Sequence, residues 1–155
     1  MNLAIRISPL DLHPSDALKV GEWIKSEWGT LQIHSYIEAI AHGDRPAGPL
    51  PRTLVAHHEN QIIGTISLLS DDLETRPEIN PWIGCLYVSP NWRRQGIGGS
   101  LLVAAERMAS QELGISKIFL FTEAQEKLYS SHGWIAIERD RYHNKEITIM
   151  LKQLS

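Results

Sequence analysis

Leu86-Tyr87-Val88-Ser89-Pro90-Asn91-Trp92-Arg93-Arg94-Gln95-Gly96-Ile97-Gly98-Gly99-Ser100-Leu101-Leu102 reads as an apolar strand running into a basic, glycine-spaced turn and out into a helix. The strand, Trp82 to Val88, stops at Ser89-Pro90, where proline ends ladder pairing. The helix, about Gly98 to Leu113, carries Leu101, Leu102, Ala105, Met108, Ala109 and Leu113 at i, i+3/i+4 spacing. Between them lie two arginines and three glycines in seven residues, Arg93 to Gly99. The first turn of a helix has backbone N–H groups without intrahelical partners, and the macrodipole adds partial positive charge there. Gly96, Gly98 and Gly99 let an anion approach those amides, and Arg93 and Arg94 add charge at the mouth. The ligand this predicts carries a pyrophosphate.

Two common pyrophosphate motifs are absent. No Lys-Ser or Lys-Thr follows the glycines, so the P-loop pattern fails. Counting G-x-G-x-x-G from Gly96 ends on Leu101, so the dinucleotide fingerprint fails too. What stands there is Arg93-x-x-Gly96-x-Gly98, after a strand and opening a helix. This resembles motif A of the GNAT N-acetyltransferase superfamily, Arg/Gln-x-x-Gly-x-Gly/Ala, whose ligand is acetyl-coenzyme A. The flanking Leu86-Tyr87-Val88 and the downstream Tyr129 strengthen the likeness.

The rest of the chain supplies the frame. The 155 residues predict one domain, 1–155, with an ordinary soluble composition of 43% hydrophobic and 21% charged residues. A net charge of −3 gives no basic excess for nucleic acid. The lone Cys85, inside an apolar strand, rules out an internal disulfide and reads as packing more readily than as a nucleophile. With no signal-like segment and no apolar run near 18 residues, a cytoplasmic protein without membrane contact is expected.

In chain order, Leu3 to Ile7 alternates as a strand. Pro14 opens a helix to about Trp28, ended by Gly29, with an interrupted stripe of Leu18, Gly21/Glu22, Ile24 and Trp28. A second helix spans Ser35 to about His42, with Tyr36, Ile37 and Ile40 apolar, and 43–51 is a Gly/Pro loop. Arg52 to Glu59 and Gln61 to Leu69 form a hairpin about Asn60. A polar loop of about a dozen residues, 70–81, precedes the central strand, and loops of this length are often functional. Lys117 to Thr122 is an apolar strand, so strand–helix–strand makes a βαβ unit with parallel neighbours. Glu126 to His132 makes a short helix ended by Gly133, and strands Trp134 to Glu138 and Lys145 to Leu151 close the chain.

The order βααβββαβαββ is similar to the GNAT fold along nearly the whole chain: an α/β (α+β) architecture with a mixed, mostly antiparallel sheet and a splayed parallel strand pair. The resemblance implies that acetyl-CoA lies in the splay. Arg93, Arg94, Gln95, Gly96, Ile97, Gly98, Gly99 and Ser100 would hold its pyrophosphate. Leu86, Tyr87 and Val88 would line the pantetheine arm, with backbone bonds from Leu86 and Val88, and Thr122 would end the second splayed strand beside it. It further implies that Tyr129 protonates the departing thiolate. The implied activity is acetyl transfer to a primary amine, small-molecule or peptide, by direct attack on the thioester. The alternative is a non-catalytic acyl-CoA-binding regulatory module of the same fold, and monomer and homodimer are both open.

The attacking amine must lose a proton before it can act as a nucleophile. Carboxylates in the 70–81 loop, Asp71, Asp72, Glu74 and Glu78, offer a base, with Glu78 and Asp72 put forward; Arg76 is the loop's single opposing charge. The same cluster would suit a cationic amine, and Glu22 and Glu27 on the first helix are further candidates. Trp82 and Trp134 suit either an acceptor groove or burial. The seven histidines show no paired ligand spacing, so no metal site is expected.

Overall fold

The computed structural model describes residues 4–154. Leu3, expected to open the first strand, lies outside them. The strands are β1 (Ile5–Pro9), β2 (Arg52–His58), β3 (Gln61–Leu69), β4 (Trp82–Val88), β5 (Lys117–Thr122), β6 (Ile135–Tyr142) and β7 (Lys145–Gln153). The helices are α1 (Ala17–Trp28), α2 (Ile33–Ala41), α3 (Ile97–Arg107) and α4 (Glu126–Ser130). The strands form one sheet in the order β1-β2-β3-β4-β5-β7-β6. Every pairing is antiparallel except β4 with β5. The expected element order and the mixed sheet are both present.

The parallel pair governs the rest. β4 and β5 share one register pair, Trp82 with Phe119, and Phe119 N–H donates to the Pro81 carbonyl at 3.1 Å. Beyond that point the strands part, while β5 continues in full register with β7 from Lys117 to Thr122. A wedge opens along the C-terminal half of β4. There β4 also bulges: its register against β3 slips between Thr65 and Ser67, and Cys85 takes φ 54°. One extra residue on β4 turns its peptide groups out of the ladder with β3.

Each sheet face has its own core. On one, α3 buries Ile97, Leu101, Leu102 and Ala105 against Leu54, Ile63, Ile83, Ile118 and Met150, with Leu86, Val88 and Tyr129 packed at the margin. On the other, α1 and α2 bury Val20, Ile24, Ile37 and Ile40 against Val55, Ile62, Trp82, Cys85 and Ile149.

Four local expectations need correction. The buried stripe of α1 is Ala17, Val20, Gly21 and Ile24, while Leu18 and Trp28 are 65% and 44% exposed. The true face is one residue over, because the small Gly21 admits α2: Ile37 lies beside it and His34 Nε2 bonds the Gly21 carbonyl at 3.0 Å. α3 ends at Arg107 and passes into a wider π-helical turn, Met108–Glu112. α4 stops at Ser130. β6 continues past Glu138 to Tyr142 and turns into β7 through His143 and Asn144, both at positive φ. It is an edge strand and mostly exposed, so Glu138 to Arg141 carry no apolar alternation to reveal it.

Candidate functional site

The glycine turn read as an anion cradle enters α3 at the residues expected for it. Gly96 caps α3 at φ 81°, a left-handed conformation in which a side chain would be strained, and space around its missing Cβ is open. The first bond of the helix is Ser100 N–H to the Gly96 carbonyl at 3.1 Å. The amides of Ile97, Gly98 and Gly99 thus lie at the helix terminus, where N–H groups have no intrahelical acceptor. Arg94, at φ 63°, Gln95 and Ser100 are exposed at its mouth.

Arg93 is held rather than free. Its Nε donates to the Val88 carbonyl at 2.8 Å, and its guanidinium lies 5.4 Å from the Tyr87 ring centroid. Tyr87 stacks in turn near Trp23 of α1, centroids 5.0 Å apart. The arginine therefore ties the turn to the end of β4. Thr122 is buried, and its hydroxyl accepts the Gln125 N–H at 3.0 Å, shaping the turn from β5 into α4.

Tyr129 stands on the α3 side of the sheet, with its ring 6.4 Å from that of Trp134 in an edge-on arrangement. Burial raises its phenol above the ordinary tyrosine value, so the hydroxyl keeps its proton at neutral pH. The turn after α4 docks on the cradle helix: a Cβ on Gly99 would lie 3.1 Å from His132 Nε2.

On the opposite side of the sheet, a pocket of about 130 Å³ is lined by Leu31, Gln32, Ile33, Leu69, Asp71, Asp72, Glu74, Cys85 and Tyr142. Three carboxylates and no cation line it. Asp72 lies directly against β4, its Oδ2 only 2.6 Å from where a Gly84 Cβ would stand. A side chain at position 84 would displace that carboxyl. Burial pushes Asp72 up to about 7. Cys85, beside it, is pushed up to about 12 by burial and by the Asp72 charge, so its thiol stays neutral.

Glu78 is placed differently. Arg76 Nε donates to it at 2.8 Å, and that bond holds its carboxyl below the ordinary range. Arg76 also pairs with Glu138 and, at 3.1 Å, with Asp140, while Tyr142 Oη donates to Glu74 Oε1 at 3.1 Å. The 70–81 loop is thus fastened to β6 across the pocket. Glu22 and Glu27 are exposed on α1. Trp82 and Trp134 are both buried. A larger groove of about 380 Å³ lies at the Pro81 end of β4, away from the cradle that follows Val88.

Sequence reasoning missed Gly84, although a glycine within an apolar strand is itself a sign of close approach. It also missed the gathering of His13, Asp16 and His57, one ligand atom of each within 4.8 Å of the others. There His57 Nε2 bonds Asp16 Oδ2 at 3.0 Å and His13 Nε2 bonds Ser8 Oγ at 2.8 Å, fastening the start of α1 to β1 and β2.

The family model described as "Acetyltransferase (GNAT) domain" matches residues 49–136, more than half of the chain. The chain belongs to the GNAT acetyltransferase family. No curated relative matches the sequence. Among solved structures, a mutant spermidine N-acetyltransferase of Vibrio cholerae is similar at TM-score 0.76 and 13% identity, over 99% of this chain and 95% of that one. An aminoglycoside 6'-N-acetyltransferase complexed with coenzyme A has TM-score 0.72 and 15% identity, over 97% of both chains. NAA60 of Arabidopsis thaliana in complex with acetyl-CoA has TM-score 0.71 and 14% identity, over 97% of this chain and 99% of that one. At these identities the likeness concerns the fold. Among the described residues no helix is long and apolar enough to cross a membrane.

Proposed function

We propose that this GNAT protein transfers the acetyl group of acetyl-CoA to a primary amine by direct attack on the thioester. The observation that carries the reading is the glycine-capped terminus of α3 beside the wedge where β4 and β5 part. Amides at that terminus suit the pyrophosphate. A pantetheine arm entering the wedge would bring its thioester to the bulge at Cys85, between the two sides of the sheet.

The side chains divide the proton work. Asp72, in the carboxylate-lined pocket, takes a proton from the ammonium of the acceptor; a carboxyl titrating at about 7 is poised for this near neutral pH. The amine nitrogen then bonds the carbonyl carbon, and collapse of the tetrahedral adduct breaks the carbon–sulfur bond. The nitrogen sheds its second excess proton to solvent as the neutral amide forms, and solvent later restores the acid's proton. Tyr129, protonated and on the other side of the sheet, gives its proton to the departing thiolate. Glu78 is a poorer base, because Arg76 holds its charge. A covalent acyl-cysteine route is disfavoured, because a thiol titrating at about 12 supplies almost no thiolate.

The test is acetyl-CoA-dependent thiol release over a panel of polyamines, aminoglycosides and peptides. Turnover with one acceptor class is expected, and Tyr129→Phe should lower kcat by about 10²-fold with coenzyme A affinity unchanged. Tight coenzyme A binding with no turnover would replace the enzyme reading with that of a regulatory acyl-CoA-binding module. Wild-type kcat in Tyr129→Phe would remove the tyrosine from the mechanism.

A further inference from the structure

Glu106 is the one buried carboxylate residue among the described residues, at 9% exposure on the core-facing side of α3. A charge buried there requires partners for both oxygens. Trp134 Nε1 donates to Oε2 at 3.0 Å, and Lys152 Nζ donates to Oε1 at 2.5 Å. Lys152 also donates to the His132 carbonyl at 2.6 Å. His132 and Trp134 in turn direct their backbone N–H groups to one acceptor, the Tyr129 carbonyl, at 2.9 and 3.1 Å.

We propose that Glu106 is a positioning residue for Tyr129, acting through the Trp134 indole and the Lys152 ammonium. The inference rests on the reading of Tyr129 as proton donor. Both handles on the tyrosine lead back to this carboxylate. The Trp134 ring, which meets the Tyr129 ring edge-on at 6.4 Å, is oriented by its bond to Glu106. The turn that bonds the Tyr129 carbonyl is held by Lys152, itself held by Glu106. His132 in that turn abuts Gly99 on the first turn of α3.

One part-buried ion pair therefore fixes the separation between the anion cradle and the phenol. That distance must match the length of the pantetheine arm if the proton is to reach the sulfur, and misplacement on the order of 1 Å is costly in rate. Stability alone does not call for this arrangement, since well-packed apolar side chains often replace buried ion pairs without loss.

A double-mutant cycle between Glu106→Gln and Tyr129→Phe tests it, with cooperative melting checked first. Glu106→Gln keeps the shape and an acceptor for the indole but removes the charge opposite Lys152. The expected result is a fall in kcat of about tenfold, with the acetyl-CoA KM within about twofold of wild type. No further fall is expected when the substitution is added to Tyr129→Phe. Should Glu106→Gln fail to fold, Lys152→Met removes the ammonium that links Glu106 to the His132 carbonyl while keeping an unbranched side chain, and is carried through the same cycle with the same expectation. An equal fall in both backgrounds would overturn the proposal while leaving Tyr129 as the acid. A Tyr129→Phe single variant at wild-type kcat would show instead that the acid reading had failed, and the proposal would fall with it.

Discussion

Asp72 sits between two demands that pull in opposite directions. In the proposed role of base it must lose its proton; as a partly buried group beside the backbone of β4 it is penalised for being charged. Its folded value, about 7, lies above that of an ordinary carboxylate, so folding favours the protonated form. The stability this confers is complete below about pH 4 and is lost as pH rises through about 7. Asp72→Asn should therefore stabilise the protein at pH 8, by on the order of 2–4 kcal/mol, and leave stability at pH 4 nearly unchanged. Activity should move the other way. In the wild type, kcat/KM rises with pH through about 7 as Asp72 ionises, and in Asp72→Asn that acid limb disappears with a loss of about 10²-fold at pH 8. Melting curves and pH–rate profiles of the two proteins check both halves, and an acid limb that survives in the variant would assign the base elsewhere. In the sequence Asp72 and Glu78 were put forward together from the four acids of a polar loop, with nothing to rank one above the other. What separates it from Glu78 is Gly84, whose missing side chain makes room for one carboxyl, and Arg76, which neutralises the other.

The strand–turn–helix from β4 into α3 was the most legible element, because the sequence there specifies backbone rather than contacts. A glycine at φ 81° followed by an apolar i, i+3/i+4 helix leaves little choice of conformation. The face of α1 was harder: Leu18 and Trp28 look like core residues, but the contact that decides the face is the seating of α2 on Gly21. The second half of β6, past Glu138, hid for a different reason, since an exposed edge strand needs no alternation. Two substitutions separate conformation from ligand contact in the cradle. Gly96→Ala forces a Cβ into the left-handed region and should cost about 1 kcal/mol of stability, read as a lower melting temperature. Gly98→Trp has no such penalty: its Cβ would have only Val88 Cγ2, at 3.9 Å, as a neighbour. That variant should melt close to wild type and yet lose coenzyme A binding by at least about 10²-fold in calorimetry, because the indole occupies the space before the helix amides. Retained binding in Gly98→Trp would move the pyrophosphate away from α3.

At the scale of the molecule, the sheet splits after one parallel register pair, and in the proposed reading this gives a cosubstrate and an acceptor separate approaches to a shared centre. The cradle and Tyr129 belong to the α3 side, and the carboxylate-lined pocket to the α1 and α2 side. The pocket is closed by long-range fastening that no local pattern could show: Arg76 reaches Glu138 and Asp140, and Tyr142 reaches Glu74, each across more than 60 residues of chain. Arg76 is the only cation in that cluster, so removing it leaves Glu78, Glu138 and Asp140 as like charges at short range. In Arg76→Ala these carboxylates repel and the 70–81 loop detaches from β6. The pocket then loses its outer wall, while the α3 side of the sheet, which the clamp does not touch, keeps its geometry. The acceptor KM should rise by about 3- to 10-fold with the acetyl-CoA KM unchanged, the pattern of lost acceptor binding rather than lost chemistry. Amide hydrogen exchange should accelerate across 72–79 and at the end of β6, and remain as in wild type along α3. Equal changes in both Michaelis constants, or exchange that accelerates along α3 as well, would mean that the two sides of the sheet are coupled through the clamp. The division of the site into a cosubstrate side and an acceptor side would then have to be abandoned.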